Sequence, residues 1–333
     1  MAERPALPFE VLDGNPLLHN LRVAVREHGL DRAREMYPAE RRFLEAIANA
    51  LGEDSRASGA VYSGFATTSL PHKKLSDDAV WERHGHRLKL KISPGTVRLG
   101  DGREKAYGVP YGSRARVLLY YCQTTALLTK SREIEMGPSL HAWIERLQLP
   151  DGGQIYKDIR EQLLRLAACS LVFDWDPDPQ RQIPAGRMKS NFISGTMGLN
   201  NVSMLAHPAQ GSLWQETILL DADFYTSLQD HAVPLWEPAI RELSSNSAAM
   251  DVYIWLAYRL RWLSEPRRVS WLALHEQFGG GYARLRDFRK RFIDTLKNAL
   301  SVYEDAIVVV DDEGVVLHPS RPPVPERSPK RIV

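Results

Sequence analysis

The sequence has few cysteines, no long apolar run and almost no net charge. Each absence excludes a class. Among 333 residues there are two cysteines, Cys122 and Cys169. Two cannot staple a secreted scaffold, and by themselves they cannot build a four-cysteine zinc site; they fit a reducing compartment. No stretch approaches the roughly 18 apolar residues that a membrane-spanning helix needs. The opening MAERPALPFE has no apolar core of signal-peptide length. These absences predict a cytoplasmic protein with no membrane attachment. Lysine and arginine number 43 against 41 acids, a formal net charge of +2. Any nucleic-acid surface must therefore come from local patches. Hydrophobic residues at 44% and charged residues at 25% allow a buried core of ordinary globular type. The length suggests about two or three domains.

Catalytic motifs are missing too. A phosphate loop needs G-x-x-x-x-G-K-[ST] after a strand. Gly279-Gly280-Gly281 follows a helical pattern instead, and Lys130-Ser131 lacks the glycines. There is no dinucleotide fingerprint and no G-x-S-x-G. Neither cysteine has a paired histidine or metal-ligand spacing. His84-Gly85-His86 is the one constellation to weigh. Two histidines flanking one residue of a strand point the same way and could hold a metal. With Tyr107 or Tyr111 as nucleophile, that is the plan of a rolling-circle DNA nickase. Yet glycine stands where such motifs place a bulky apolar residue, and the plain alternative is a solvated turn opening a strand. DWDPDP (174–179) could bind a cation, or be a charged loop broken by Pro177 and Pro179. The sequence predicts no enzyme, no cofactor and no metal site.

What is present is order. Residues 16–51 have helical periodicity, closed by Gly52. HRLKLKI (86–92) alternates, with Leu88, Leu90 and Ile92 on one face, as in a half-buried strand. Ser93-Pro94-Gly95 turns into a return strand at Thr96–Leu99. From Gly112 the pattern runs helix (113–128), strand (132–136), helix (139–147, Ser139 as N-cap), Gly152-Gly153, helix (154–169), strand (170–175), with a partner strand near 190–194. From Asn246 it runs again: helix (247–263), strand (267–270), helix (271–278), the three glycines, helix (283–303), strand (306–311), turn, strand (315–318). Helix, strand, helix, turn, helix and a two-stranded wing is the winged-helix order. The expected fold is α+β, with two tandem winged-helix domains. The expected division is a helical N-terminal extension (1–52), a first winged-helix domain with strand insertions (53–245), a second (246–320) and a disordered basic tail (321–333). Residues 176–245 read as a polar bridge holding a strand-like ETILLD (216–221).

The segment 284–297 carries six bases and two acids, a local charge of +4. At 100° per residue, Leu285, Phe288, Phe292, Leu296 and Ala299 form one apolar stripe to be buried. Arg284 and Arg291 flank one side, Arg286, Lys290 and Lys297 the other, and Arg289 lies near the stripe's edge, where it would snorkel. A solvated amphipathic helix with Asp287–Arg291 and Asp287–Lys290 pairs is the plain alternative. The element after the turn of a helix-turn-helix, however, enters the major groove with its first residues toward the bases. Arginine bonds guanine O6 and N7 bidentately, while lysine typically sits on phosphate. The candidate DNA-binding set is therefore Arg284, Arg286, Arg289, Lys290, Arg291 and Lys297. Arg114, Arg116, Lys157, Arg160, Arg187 and Lys189 of the first copy are weaker phosphate candidates.

The residues SLPHKKL (69–75), GVPYGSRARVLLYYCQTTAL (108–127), SREIEMGPSLHAWIERLQL (131–149) and GGQIYKDIREQLLRLAACSLVF (152–173) resemble the RepA-type replication initiators of bacterial plasmids. YGSRAR before an apolar helix, and the GG-introduced helix, carry most of the resemblance, which is loose after about residue 175. It implies an iteron-binding initiator of tandem winged helices, without catalytic residues to transfer. Its C-terminal winged helix would read repeated double-stranded DNA at an origin. Its N-terminal one would dimerise and add backbone contacts. Host initiator and helicase are the implied partners. The other readings are the nickase and a plain transcriptional regulator.

Overall fold

The computed structural model describes residues 16–52, 58–98, 103–136, 140–146, 149, 152–177, 185–197 and 217–324. Its elements follow in chain order: α1 (Pro16–Met36), α2 (Arg41–Leu51), β1 (Ser58–Tyr62), α3 (Gly64–Thr67), β2 (Trp81–Gly85), β3 (Leu88–Ser93), β4 (Gly95–Arg98), β5 (Glu104–Tyr107), α4 (Gly112–Thr129), β6 (Glu133–Glu135), α5 (Leu140–Arg146), α6 (Gly153–Ala168), β7 (Ser170–Trp175), β8 (Gly186–Asn191), β9 (Ile193–Met197), β10 (Thr217–Leu220), α7 (Ala222–Asp230), β11 (Ala232–Trp236), α8 (Glu237–Glu242), α9 (Ser247–Leu260), β12 (Arg267–Ser270), α10 (Trp271–Phe278), α11 (Leu285–Ser301), β13 (Val308–Val310) and β14 (Gly314–Leu317). The architecture is mixed α and β with small antiparallel sheets. No helix among the described residues is long and apolar enough to cross a membrane.

The chain divides into two compact units. One holds residues 59–233 and 244–247. Its four-stranded sheet has the order β2-β3-β7-β8. The alternation in β3 works as a half-buried strand should: Leu90 and Ile92 are buried, facing a core with Leu171, Phe173 and Met188. Tyr62, Phe65, Phe173, Phe192 and Phe224 pack there, mostly edge to face, with centroids 5.2–6.4 Å apart. Helices α4 and α6 pack on one another, and Ala115, Leu118, Cys122, Ile159 and Leu163 on them are buried.

Two strands pair otherwise than their sequence neighbours suggest. β4 does not return along β3; it pairs with β5, Gly95 opposite Tyr107. β6, between the first two helices of the first copy, pairs with β10, Ile134 opposite Ile218. β10 also pairs with β9. Thr217–Leu220, assigned by sequence to a bridge, is thus the middle strand of a sheet. Its alternating burial satisfies Ile218 and Leu220 in the core.

The other unit collects α1, α2, residues 234–243 and everything described from 248 onward. The N-terminal helices therefore belong to the same unit as the C-terminal elements. Leu18, Leu21, Leu44 and Ile47 are at most 1% exposed. In this unit β12, β14 and β13 form a three-stranded antiparallel sheet, Val269 and Val310 both opposite Val315. Trp255, Phe278, Phe292, Phe288 and Trp271 form a chain of ring contacts. The first part of the proline-rich tail is held: Tyr303 Oη donates to the Arg321 carbonyl at 2.8 Å. Residues 325–333 lie outside the described residues, as do Ser139 and Pro179.

Candidate nucleic-acid interface

Helix α11 begins at Leu285, two residues later than the periodicity suggests, because Arg284 is extended (φ −119°, ψ 129°) and takes the N-cap position. Its side chain makes no capping bond; the Arg284 carbonyl accepts from the N–H groups of Asp287 and Phe288. Before it, α10 is capped by Ser270, whose hydroxyl accepts from Ala273 N at 3.2 Å. The three glycines form a fixed turn between the helices. Gly281 has φ +102°, a conformation that side chains resist. The Tyr282 N–H donates to the Gly279 carbonyl at 2.9 Å. The ring of His275 pins the far side, with Nε2 2.9 Å from the Tyr282 carbonyl.

The stripe of α11 is buried as its spacing requires: Phe288, Phe292, Leu296 and Ala299 are each 3% exposed or less. Removing each large side chain from water stabilises by roughly 1.5–3 kcal/mol. Leu285 departs from the stripe. It is 39% exposed because it lies in the first turn, beyond the packed core. Arg284, Arg286, Lys290 and Arg291 are exposed, and Lys297 is half-buried. Arg286 has Asp287 as a loose neighbour at 3.7 Å. Arg289 is different. Its guanidinium lies 4.9 Å over the Trp271 ring and 3.8 Å from Asp312. The indole N–H of Trp271 donates to the Asp311 carbonyl at 3.1 Å. Arg289 thus braces the helix against the β13–β14 turn.

The candidates in the other unit separate. Arg116, 5% exposed, donates to the carbonyls of Leu70 (2.7 Å), Gly112 (2.7 Å) and Pro71 (3.3 Å). Buried and bonded to main-chain carbonyls, it serves as a structural strut. Arg114 is half-buried, and burial lowers its pKa. Lys157 is exposed on α6 and Arg160 half-buried. Arg165, on the same helix, is buried and bound to Asp77 and Glu161 at 2.8 and 2.9 Å. Its guanidinium holds the Asp77 carboxyl below the usual range.

Arg187 and Lys189 lie on the exposed face of the four-stranded sheet, where they join residues the sequence reading passed over. One cross-strand row is His84, Lys89, Asp174, Arg187; the next is Glu82, Lys91, Val172, Lys189. Arg187 grips Asp174 with two bonds of 2.6 and 3.2 Å. Lys89 lies 2.8 Å from Glu82 and its hydrogen bond holds that carboxyl below the usual range. The signal for Lys89 and Lys91 was in the alternation of HRLKLKI, whose polar face they share.

His84 and His86 do not converge on a site. His84 is on β2, and His86 with Arg87 forms the hairpin turn to β3. A Cβ on Gly85 would lie 2.0 Å from the Thr67 carbonyl oxygen, so glycine is there for close packing. Among the described residues no group of three His, Cys, Asp or Glu is placed to hold a metal.

Residues 109–272 match the family model described as plasmid encoded RepA protein. Over this stretch the chain is similar to the RepA family of plasmid replication initiators. The RepA match runs from just before α4 to the first residues of α10 and ends short of α11. Two solved structures of RctB are among those to which the chain is similar. Selenomethionine derivatives of domains 2 and 3 give 10% identity and a TM-score of 0.47, covering 77% of this chain and 97% of that one. RctB domains 2–3, residues 155–483, give 11% identity and a TM-score of 0.42, covering 76% and 94%. No curated protein matches the chain.

Proposed function

We propose that this chain is an origin-binding plasmid replication initiator that reads repeated double-stranded DNA with α11 and performs no catalysis itself. The observation that carries this reading is α11: one face is buried, and the exposed part of its first two turns presents Arg286, Lys290 and Arg291, with Arg284 just before them. In the order α9, β12, α10, turn, α11, β13, β14 we read a winged helix, with α11 the element entering the major groove. The first residues of α11 would meet base edges and the lysines phosphates. The helix N-terminus, with free N–H groups, adds to phosphate attraction. In α4, β6, α5, α6, β7 and β8 we read a second, less basic copy, for dimerisation and backbone contacts through Lys157, Arg160, Arg187 and Lys189. Bound to repeats, the protein would mark the origin, help melt adjacent duplex and recruit the host initiator and helicase. The match of residues 109–272 to the RepA family model supports the initiator role.

Footprinting on the DNA flanking the gene tests the reading. Several phased direct repeats are the expected pattern; a single palindrome would point to a transcriptional regulator. Nicking of supercoiled origin DNA that disappears in His84→Ala would overturn the non-catalytic assignment.

A further inference from the structure

The turn joining β13 to β14 carries three consecutive acids, Asp311, Asp312 and Glu313. Asp311 belongs to the turn itself. Its Oδ1 accepts from the main-chain N–H groups of Glu313 and Gly314, both at 2.9 Å, and from Arg268 at 2.7 Å. The next two acids have no such duty. The side chains of Asp312 and Glu313 are 65% and 76% exposed. Glu313 reaches Arg268 at 2.8 Å, and Asp312 faces Arg289 at 3.8 Å. Arg289 is the fifth residue of α11, next to Lys290 and three after Arg286. Two negative charges therefore stand beside the basic end of the helix, each set against an arginine that could otherwise reach phosphate.

We propose that Asp312 and Glu313 are negative determinants of DNA binding, which suppress affinity for arbitrary sequence and so sharpen the choice of site. The inference rests on α11 being the DNA-reading helix. Binding to arbitrary DNA is driven almost wholly by neutralising phosphates. A duplex without the right bases is held in many orientations. Those that bring Arg268 and Arg289 to the backbone must displace Glu313 and Asp312 and place two carboxylates near phosphate, within the Debye length of about 10 Å at 0.1 M salt. A duplex with the right bases is held in the one orientation its base contacts dictate. The turn thus penalises the unspecific modes more than the specific one.

The test uses the full chain and two duplexes: the one that wild-type protein enriches from a randomised pool, and a shuffled version of it. The double variant Asp312→Asn/Glu313→Gln should bind the shuffled duplex roughly three- to tenfold more tightly at 0.1 M salt, the scale of two unit charges removed within a Debye length. Its gain on the enriched duplex should stay under about twofold. Asp312→Asn alone, which leaves Arg268 with both of its carboxylates, should move the same way. Glu27→Gln on α1 is the charge control, because α1 meets α11 near its other end, through Arg22 and Leu300. It should change neither affinity. Unchanged or weaker binding to the shuffled duplex overturns the proposal, as does an equal gain on both duplexes or from Glu27→Gln. If wild-type protein enriches no sequence at all, the reading of α11 itself fails and this inference falls with it.

Discussion

The Arg22 guanidinium donates a 2.5 Å hydrogen bond to the main-chain carbonyl of Leu300, 278 residues away in sequence. The donor is 7% exposed and its acceptor lies in the last turn of α11. A cation there adds a charged donor to a carbonyl that also accepts from the Tyr303 N–H, and it sits at the negative end of the helix dipole. Nearby, Arg26 pairs with Glu304 at 2.8 Å. Burial lowers the pKa of Arg22, and the charge of Glu304 works against that shift. Replacing Arg22 by Met should destabilise the unit by about 1–3 kcal/mol, from the loss of a buried charged hydrogen bond. Urea melts would show a lower midpoint. An unchanged midpoint would remove Arg22 from the account of how α11 is held.

Arg116 should behave as a strut rather than as a DNA contact. Arg116→Ala removes the buried guanidinium's bonds to the carbonyls of Leu70, Pro71 and Gly112, with a cost of about 2–4 kcal/mol. In whatever fraction stays folded, the salt dependence of DNA binding should match wild type. A salt slope shallower by about one unit would return Arg116 to the phosphate contacts.

Gly85→Ala separates packing from metal chemistry at the two histidines. The added methyl meets the Thr67 carbonyl oxygen, a contact that only a backbone shift relieves. The expected loss is about 1–3 kcal/mol of stability. His84→Ala, at an exposed position, should change stability by less than about 0.5 kcal/mol. If the two variants lower the melting temperature equally, the packing explanation for glycine is wrong.

On α11, Arg286→Ala should weaken binding to the specific site by about 1–3 kcal/mol and relax preference at one base pair. Lys297→Ala should weaken all sequences alike and flatten the slope of log K against log salt by about one unit. If neither affinity changes, α11 is not the recognition helix.

The two thiols should be silent in the native protein. Burial pushes both Cys122 and Cys169 up to about 12 from an ordinary 9.0. A thiol reagent at pH 8 should therefore label neither until urea is added, and then both. The same shift has a pH consequence. Above pH 9.0 the unfolded chain releases protons that the native chain retains, so stability falls as pH rises from there toward 12. Buried Tyr253 and Tyr303, also shifted upward, add to the fall at higher pH. Below pH 9.0 these groups should leave stability flat.

The sequence was most informative where a local period decides the structure. The buried stripe of α11, the alternation of β3 and the three strands of the β12-β14-β13 sheet all follow from spacing. It was least informative where distant segments meet. Nothing in ETILLD names Glu133–Glu135 as its partner, because strand pairing is chosen by tertiary fit. Arg116 is a mixed case. Its neighbours Ala115, Val117, Leu118 and Leu119 are apolar, and a charge so placed has little open water to reach. Arg289 was read as snorkelling from the stripe edge; the Trp271 ring and Asp312 that receive it come from other elements. Leu285 fitted the stripe by angle and left it because a helix's first turn can outrun its core.

The unit that holds α11 is assembled from the first helices of the chain, a short middle segment and the last third. During synthesis, α1 and α2 emerge from the ribosome and wait for partners that come roughly 190 to 280 residues later. At about 5–20 residues per second, that wait lasts on the order of ten to sixty seconds. The other unit, whose residues come almost wholly from 59–233, can fold in the meantime. Helix α11 is therefore among the last parts of the protein to become competent, and an interrupted message yields a chain without it.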